Sequence, residues 1–274
     1  MKIITLIENS SERRVSAELE VEHGLSFWIE RRGGDVWLSD AGQSGAAWRN
    51  AERLGLDLGR VKALALSHGH YDHTGGAVEF GTRFRDATIY YQRVALAKLT
   101  HGERYIGSDA ALGRLANARE IVGEATLGEG VSLFAGARGR RLWPRGNGAL
   151  SVERAPGVVA PDDFAHEEYL VVEEDGRRVL FSGCAHNGIL NVLDRFAELY
   201  GGAPDAVIGG FHLLRKEGYA SEDLAAIAET ARELKKTPSV YYTGHCTGET
   251  PASILREIMG DQCRFCRVGA TIEV

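Results

Sequence analysis

The chain has 274 residues, of which 32 are basic and 38 acidic, giving a formal charge of −6, and 44% are hydrophobic. That is enough apolar matter for one large domain or two small ones, and it excludes a disordered chain. The mild acidic balance argues against a general nucleic-acid binder, and no uninterrupted apolar run approaches the ~18 residues of a membrane span.

Residues 1–14, MKIITLIENSSERR, turn polar too early for a signal peptide, so a reducing cytoplasm is the expected compartment. Four cysteines (Cys184, Cys246, Cys263, Cys266) are too few for a disulfide scaffold at this length. The 34 glycines imply many tight turns between strands, and such loops are where catalytic groups tend to sit.

In chain order, β-branched or aromatic runs predict strands at Lys2 to Ile7, Leu25 to Arg31, Asp35 to Leu38 and Val61 to Leu66, with helical spacing at Ala46 to Leu54. The middle, about 82–157, fits no repeat of that style. It holds a helical stretch around Val94 to Leu99 and a Gly- and Arg-rich loop at 136–148, and reads as an insertion able to overhang a site. Tyr169 to Val172 and Arg178 to Phe181 flank Asp175-Gly176, a two-residue hairpin turn. An amphipathic helix follows at Ile189 to Tyr200, then a buried strand at Asp205 to Ile208 and a helix from Ser221 to about Lys236. Val240 to Thr243 reads as a strand, Thr250-Pro251 opens a last helix that Gly260 closes, and Arg267 to Val274 returns to strand. Strands precede helices in each half, which two packed sheets with helices outside would satisfy.

Directly after the strand Val61 to Leu66 stands Ser67-His68-Gly69-His70-Tyr71-Asp72-His73-Thr74-Gly75-Gly76. Three imidazoles and a carboxylate within six residues are the ligands that hold zinc, iron or manganese. Charged and polar groups this dense need a metal or water to satisfy them. On a turn leaving a strand, His68 and His70 point one way while Asp72 and His73 swing to a second centre.

The HxHxDH pattern followed by Gly-Gly resembles the metallo-β-lactamase superfamily. Glu22 to Ser26, Asp40 to Ser44, Ser182 to Ile189, Gly209 to Leu213 and Tyr242 to Gly248 extend the likeness to a branch of dihydropterin ribofuranosylaminobenzene phosphate synthase-like metal-dependent hydrolases. The resemblance implies an α+β fold, an αββα sandwich of two mixed sheets with helices on both outer faces, spanning 1–274 as a single domain. It implies two divalent transition-metal ions, zinc first, with manganese or iron as other choices. His68 and His70 would hold one metal, Asp72, His73 and His245 the other.

The departures lie at Ser182 to His186. Cys184 stands where many relatives carry a metal-bridging aspartate, either as a thiolate ligand or as a small buried residue. His166 falls one residue out of register for the remaining superfamily histidine, so His186 is expected to supply that ligand and His166 to lie on the surface. His212 follows a buried strand as a proton donor, substrate contact or further ligand. His23 is read as a substrate contact or a structural histidine, and Asp40 as the acceptor that orients a ligand histidine or as a plain turn residue. Arg138, Arg140, Arg141 and Arg145 would meet a phosphate or carboxylate if their loop faces the site, with Arg140 and Arg141 as the substrate-binding candidates. Cys263 and Cys266 lack further ligands and read as incidental.

The expected function is a hydrolase in which a dinuclear-metal-activated hydroxide, with Asp72 and His212 as catalytic groups, attacks a small, phosphate-bearing or otherwise anionic substrate. A transferase acting on a ribosyl-phosphate donor in pterin cofactor biosynthesis and a non-enzymatic metal-binding module are the alternatives. Di-iron redox chemistry fits poorly, because relatives of that kind carry Glu where His70 stands. The expected partner is a small-molecule substrate rather than nucleic acid or membrane, with room for a homo-oligomer.

Overall fold

A computed structural model describes residues 1–11 and 18–274. Among these, the strands form two seven-stranded sheets and one four-stranded sheet. The first sheet runs, edge to edge, Thr271–Glu273, Lys2–Ile7, Ser26–Glu30, Val36–Ser39, Val61–Ala65, Thr88–Gln92, Ala118–Ile121. The second runs Cys263–Phe265, Val240–Thr243, Ala206–Gly209, Arg177–Gly183, Glu168–Glu174, Val131–Ala135, Ala125–Gly128.

The period-two alternation of the strands decides which layer each side chain enters. In the first sheet Phe27, Ile29, Trp37, Ala63 and Ala65 face the second sheet, where Val179, Phe181, Ala206 and Ile208 meet them. The intervening Trp28, Val36, Leu38 and Leu64 face outward, under the helices Ala46–Arg53 and Ala77–Arg83, whose Trp48 and Phe80 complete that layer. Leu180, Val207 and Tyr241 do the same on the far side, beneath Ile189–Tyr200, Ser221–Lys235 and Glu249–Met259. The result is the αββα sandwich with helices on both outer faces. Each large side chain buried in these layers contributes about 1.5–3 kcal/mol of transfer free energy. Among the described residues no helix is long and apolar enough to cross a membrane.

The segment 82–157, expected to be an insertion, divides instead. Thr88–Gln92 and Ala118–Ile121 extend the first sheet in parallel register, and Ala125–Gly128 and Val131–Ala135 complete the second. Their hydrophobic alternation is short and interrupted, so their tertiary pairing rather than local pattern makes them strands. The helix expected at Val94 to Leu99 is a 3-10 turn, Arg93–Leu96, leading into the strand Lys98–His101. That strand, with Arg104–Tyr105, Leu150–Ala155 and Val158–Pro161, builds the small sheet, which closes over a core of its own around Leu99, Ile106, Leu150 and Phe164.

What positions the site is the parallel centre of each sheet. Val36–Ser39 and Val61–Ala65 are parallel neighbours, as are Arg177–Gly183, Ala206–Gly209 and Val240–Thr243. Their carboxyl ends therefore lie at one edge of the sandwich, and the residues that follow them, Asp40, His68, Cys184, His212 and His245, are delivered to the same place.

Candidate metal centre

Two groups of donors meet at this edge. In one, His68, Cys184 and His186 bring ligand atoms within 4.8 Å of one another, and the His70 ring lies 4.6 Å from that of His68 and 4.8 Å from that of His186. In the other, His73 Nε2 is 3.1 Å from Cys184 Sγ and 3.2 Å from His245 Nε2, while Asp72 Oδ2 is 3.3 Å from His245 Nε2. Cys184 belongs to both. His23 reaches Asp72 from the exposed rim, Nε2 to Oδ2 3.2 Å.

The outer nitrogens of the imidazoles are fixed by hydrogen bonds, which sets their tautomers. His73 Nδ1 donates to Asp40 Oδ2 at 2.7 Å, and His68 Nδ1 donates at 2.8 Å to Ser67 Oγ, which itself donates to Asp40 Oδ2 at 2.9 Å. His186 Nδ1 donates to Asn147 Oδ1 at 3.1 Å and His245 Nδ1 to Asn9 Oδ1 at 2.9 Å. Each ring is thereby turned with its Nε2 toward the centre. Those of His68 and His186, together with His70 Nε2, are buried without a hydrogen-bond partner among the described residues. Nε2 of His73 and Nε2 of His245 lie 3.2 Å apart, a separation that suits either a proton shared between the rings or two ligands on one cation. Buried imidazole nitrogens without a partner are costly, and those of His68, His70 and His186, with the Cys184 thiol and the Asp72 carboxylate beside them, fit divalent transition metals of the N, O and S preference of zinc.

Charge separates the two groups. Burial, reinforced by the neighbouring imidazoles, pushes His68 and His186 well below the usual histidine range and His70 down to about 3, so all three present neutral rings. Burial opposes charging of His73 as well, but the carboxylates of Asp40 and Asp72 outweigh it and raise its pKa to about 9. Burial likewise opposes ionisation of Asp72, yet His73, His23 and His245 hold it well below the usual carboxylate range.

The backbone is strained where it delivers these groups. Asp40, Ala185, His212 and His245 all have positive φ, between 48° and 61°. Gly183, φ 56°, packs so closely on Ser67 that any side chain there would collide with its hydroxyl. Buried carboxylates tie the strained turns down. Glu167 accepts from His186 N, Asn187 N, Asn187 Nδ2 and Tyr169 Oη at 2.6–2.9 Å, and Glu8 accepts from His245 N at 2.6 Å.

His166 is a correction. It is buried rather than on the surface, because Asp162, one turn earlier, receives its Nε2–H at 3.0 Å while its Nδ1 accepts from Gly69 N at 3.2 Å. Its ring lies 5.4 Å from that of His70. Arg140 and Arg141 are a second correction. Arg141 is drawn to Asp194 (3.0 Å) and Glu233 (3.2 Å) on the outer helices, Arg140 stacks on Trp143, and neither lines the cavity above the histidines. Arg145 does line it, paired with Glu222 and Asp223.

That cavity measures about 440 Å³, with Asp72, His186, His212 and Cys246 at its floor. Arg104, from the small sheet, and Lys216 stand in its wall without a carboxylate partner among the described residues; Arg104 donates to Tyr71 Oη at 3.1 Å and lies over that ring. Neither Arg104 nor Cys246, Asn147 and Glu167 is marked by its own sequence context. Arg104 sits in a segment with no chemistry-bearing motif, and the others are recognised only by what they touch.

Comparison with known proteins identifies the family and the fold. The family model described as the metallo-beta-lactamase superfamily matches residues 19–245. The crystal structure of Tm1679, titled a metal-dependent hydrolase of the beta-lactamase superfamily, superposes with a TM-score of 0.81 and 30% identity over 100% of this chain and 99% of that one. A Zn2+-bound PqqB from Methylobacterium extorquens shares the fold, at TM-score 0.61 and 14% identity over all of both chains. The 7,8-dihydropterin-6-methyl-4-(beta-D-ribofuranosyl)-aminobenzene-5'-phosphate synthase of Methanocaldococcus jannaschii is 24% identical, covering 100% of this chain and 96% of its own. With the fold, the histidine-rich edge and a family match over most of its length, the chain belongs to the metallo-β-lactamase superfamily.

Proposed function

We propose that the protein is a metal-dependent hydrolase working on a small anionic substrate with two divalent cations, zinc first among them. The observation that carries this reading is the pair of donor groups sharing Cys184 at the floor of the 440 Å³ cavity. His68, His70 and His186 would hold one cation, and Asp72, His73 and His245 the other. When bound, such a pair supplies Lewis acidity and lowers the pKa of water between them.

The chain's own residues do the rest. Asp40, Asn147 and Asn9 keep the imidazoles turned with Nε2 inward, so no reorganisation is needed when charge develops. Arg104 and Lys216, cations of the cavity wall without a carboxylate partner among the described residues, would anchor a phosphate or carboxylate and steer it inward despite the protein's net negative charge. The synthase name of the relative from Methanocaldococcus jannaschii supplies the competing reading, a transferase on a ribosyl-phosphate donor; at 24% identity it does not displace hydrolysis.

The test is elemental analysis of protein purified without chelator or affinity metal, followed by assays on phosphomonoesters, phosphodiesters and lactones. About two transition-metal ions per chain and turnover that His70→Ala abolishes by at least about 10³-fold are expected. A fully active His70→Ala protein would sink the scheme. Release of pyrophosphate from a phosphoribosyl donor, with no hydrolysis of the other substrates, would move the assignment to the transferase.

A further inference from the structure

Beside the two donor groups lies a third, which joins their shared Cys184 to two residues that neither of them uses, His212 and Cys246. Cys184, His212 and Cys246 bring two sulfurs and an imidazole nitrogen within 4.8 Å of one another. Tetrahedral zinc, with Zn–S near 2.3 Å, places two thiolates only about 3.8 Å apart, so the spacing lies within reach of a shared cation. Cys246 is buried at the cavity floor, unpaired in any disulfide, with Sγ 3.8 Å from the Cys184 carbonyl oxygen. Gly210 makes room for it: any side chain there would collide with Cys246 Sγ. His212 has its Nδ1 buried with no hydrogen-bond partner among the described residues, and a left-handed backbone, φ 48°, turns the ring against that of His186, 4.1 Å away.

A strained backbone, an orphaned nitrogen and a second thiol fitted against a bare glycine are difficult to account for by packing alone. From this we infer that Cys184, His212 and Cys246 form a third, sulfur-rich cation position on the cavity floor, selective for soft divalent ions such as zinc and cadmium over manganese or magnesium. In this arrangement His212 acts as a ligand, one of the three roles its place in the sequence left open. Cys184, at the junction of all three groups, couples the third position to the other two. The inference shares Cys184 with the proposed function but is read out by metal binding rather than by turnover.

The experiment strips the full-length protein with chelator and titrates it with Cd2+, following bound equivalents and the alkylation of Cys246 by iodoacetamide, mapped by mass spectrometry. A third equivalent is expected, with Cys246 protected from alkylation once it is bound. Cys246→Ser and His212→Gln should each lose that one equivalent and retain the other two. The wild-type alkylation stands even if a variant fails to fold. Saturation at two equivalents, or Cys246 alkylated at the same rate with and without Cd2+, overturns the third position and leaves the dinuclear reading intact. Absence of any tight binding would overturn both. Manganese binding as tightly as cadmium at the third equivalent would refute the claimed selectivity.

Discussion

The two halves of the sandwich supply the metal centre in different ways. The first sheet delivers His68, His70, Asp72 and His73 in one stretch, on a turn and a short helix, Tyr71–Thr74, so their relative positions follow largely from local backbone geometry. The second sheet delivers Cys184 with His186, then His212, then His245, each from the end of a different strand. Nothing local holds those three turns in register. Buried carboxylates hold two of them, Glu167 gripping the 184–187 turn and Glu8 the backbone at His245. The His212 turn is tied to both by bonds from Gly210 N to Gly183 O, Phe211 N to Thr247 Oγ1 and Leu214 N to Cys246 O, and Asp40 in the first half works on imidazole orientation. A contiguous motif needs its rings aimed, whereas dispersed ligands need their backbone pinned as well.

The largest effect should come from removing a pin. Glu167→Ala leaves the amides of His186 and Asn187 and the Tyr169 hydroxyl without their acceptor, and takes one of three acceptors from the Asn187 side chain. Unsatisfied buried donors cost about 1–3 kcal/mol each, so even with partial rescue by water the loss should reach at least about 3 kcal/mol. Denaturant melts of the metal-free protein measure it directly. A change below about 1 kcal/mol would mean that the 184–187 turn holds itself, and the contrast between the halves would fail.

Changing an aiming residue should do less to stability and more to one cation. In Asp40→Asn the amide nitrogen can donate to His73 Nδ1, which moves the ring proton onto Nε2, the nitrogen that faces the centre. Loss of such an orienting partner typically costs about 10–100-fold in metal affinity. The loss should fall on the equivalent held by Asp72, His73 and His245, with the His68, His70 and His186 equivalent weakened less, through the bond from Ser67 to Asp40. Equal weakening of both in a chelator competition would show that Asp40 supports the whole edge rather than one ring.

The same contrast explains what could be read from the sequence. The packed sheets and the HxHxDH cluster are legible because strand alternation and a dense local motif carry them, whereas the αββα arrangement and His245 rest on the family resemblance. The strands Thr88–Gln92 and Ala118–Ile121 are not, since only pairing with Val61–Ala65 and with each other makes them strands. His166 was expected at the surface because it falls one residue out of register for the superfamily histidine, and its bond to Asp162 is visible only in the fold. Arg140 and Arg141 looked like substrate contacts by charge alone; Arg141 is turned away by Asp194 and Glu233, more than 50 residues distant, and Arg140 lies over Trp143. Arg104 and Cys246 gain meaning only from the cavity around them.

One buried acid follows neither pattern, and it offers the mildest test of how the edge is held. Glu168 adjoins Glu167 in the chain, yet both of its carboxylate oxygens are buried without a partner among the described residues, and burial together with the nearby Asp40 charge pushes its pKa well above the usual glutamate value of 4.5. The folded protein thus keeps a proton on Glu168 that the unfolded chain gives up. Stability from this group is complete below about pH 4.5 and declines as pH rises, by at most about 1.4 kcal/mol per pH unit, until the folded-state pKa is passed. Gln at the same place has the same shape and no proton to lose. Glu168→Gln should therefore match the parent in unfolding free energy near pH 4 and exceed it progressively toward neutrality, with metal stoichiometry unchanged. A variant less stable than the parent at pH 7 would mean that Glu168 is ionised and paired in the fold, and that it pins the edge as Glu167 does.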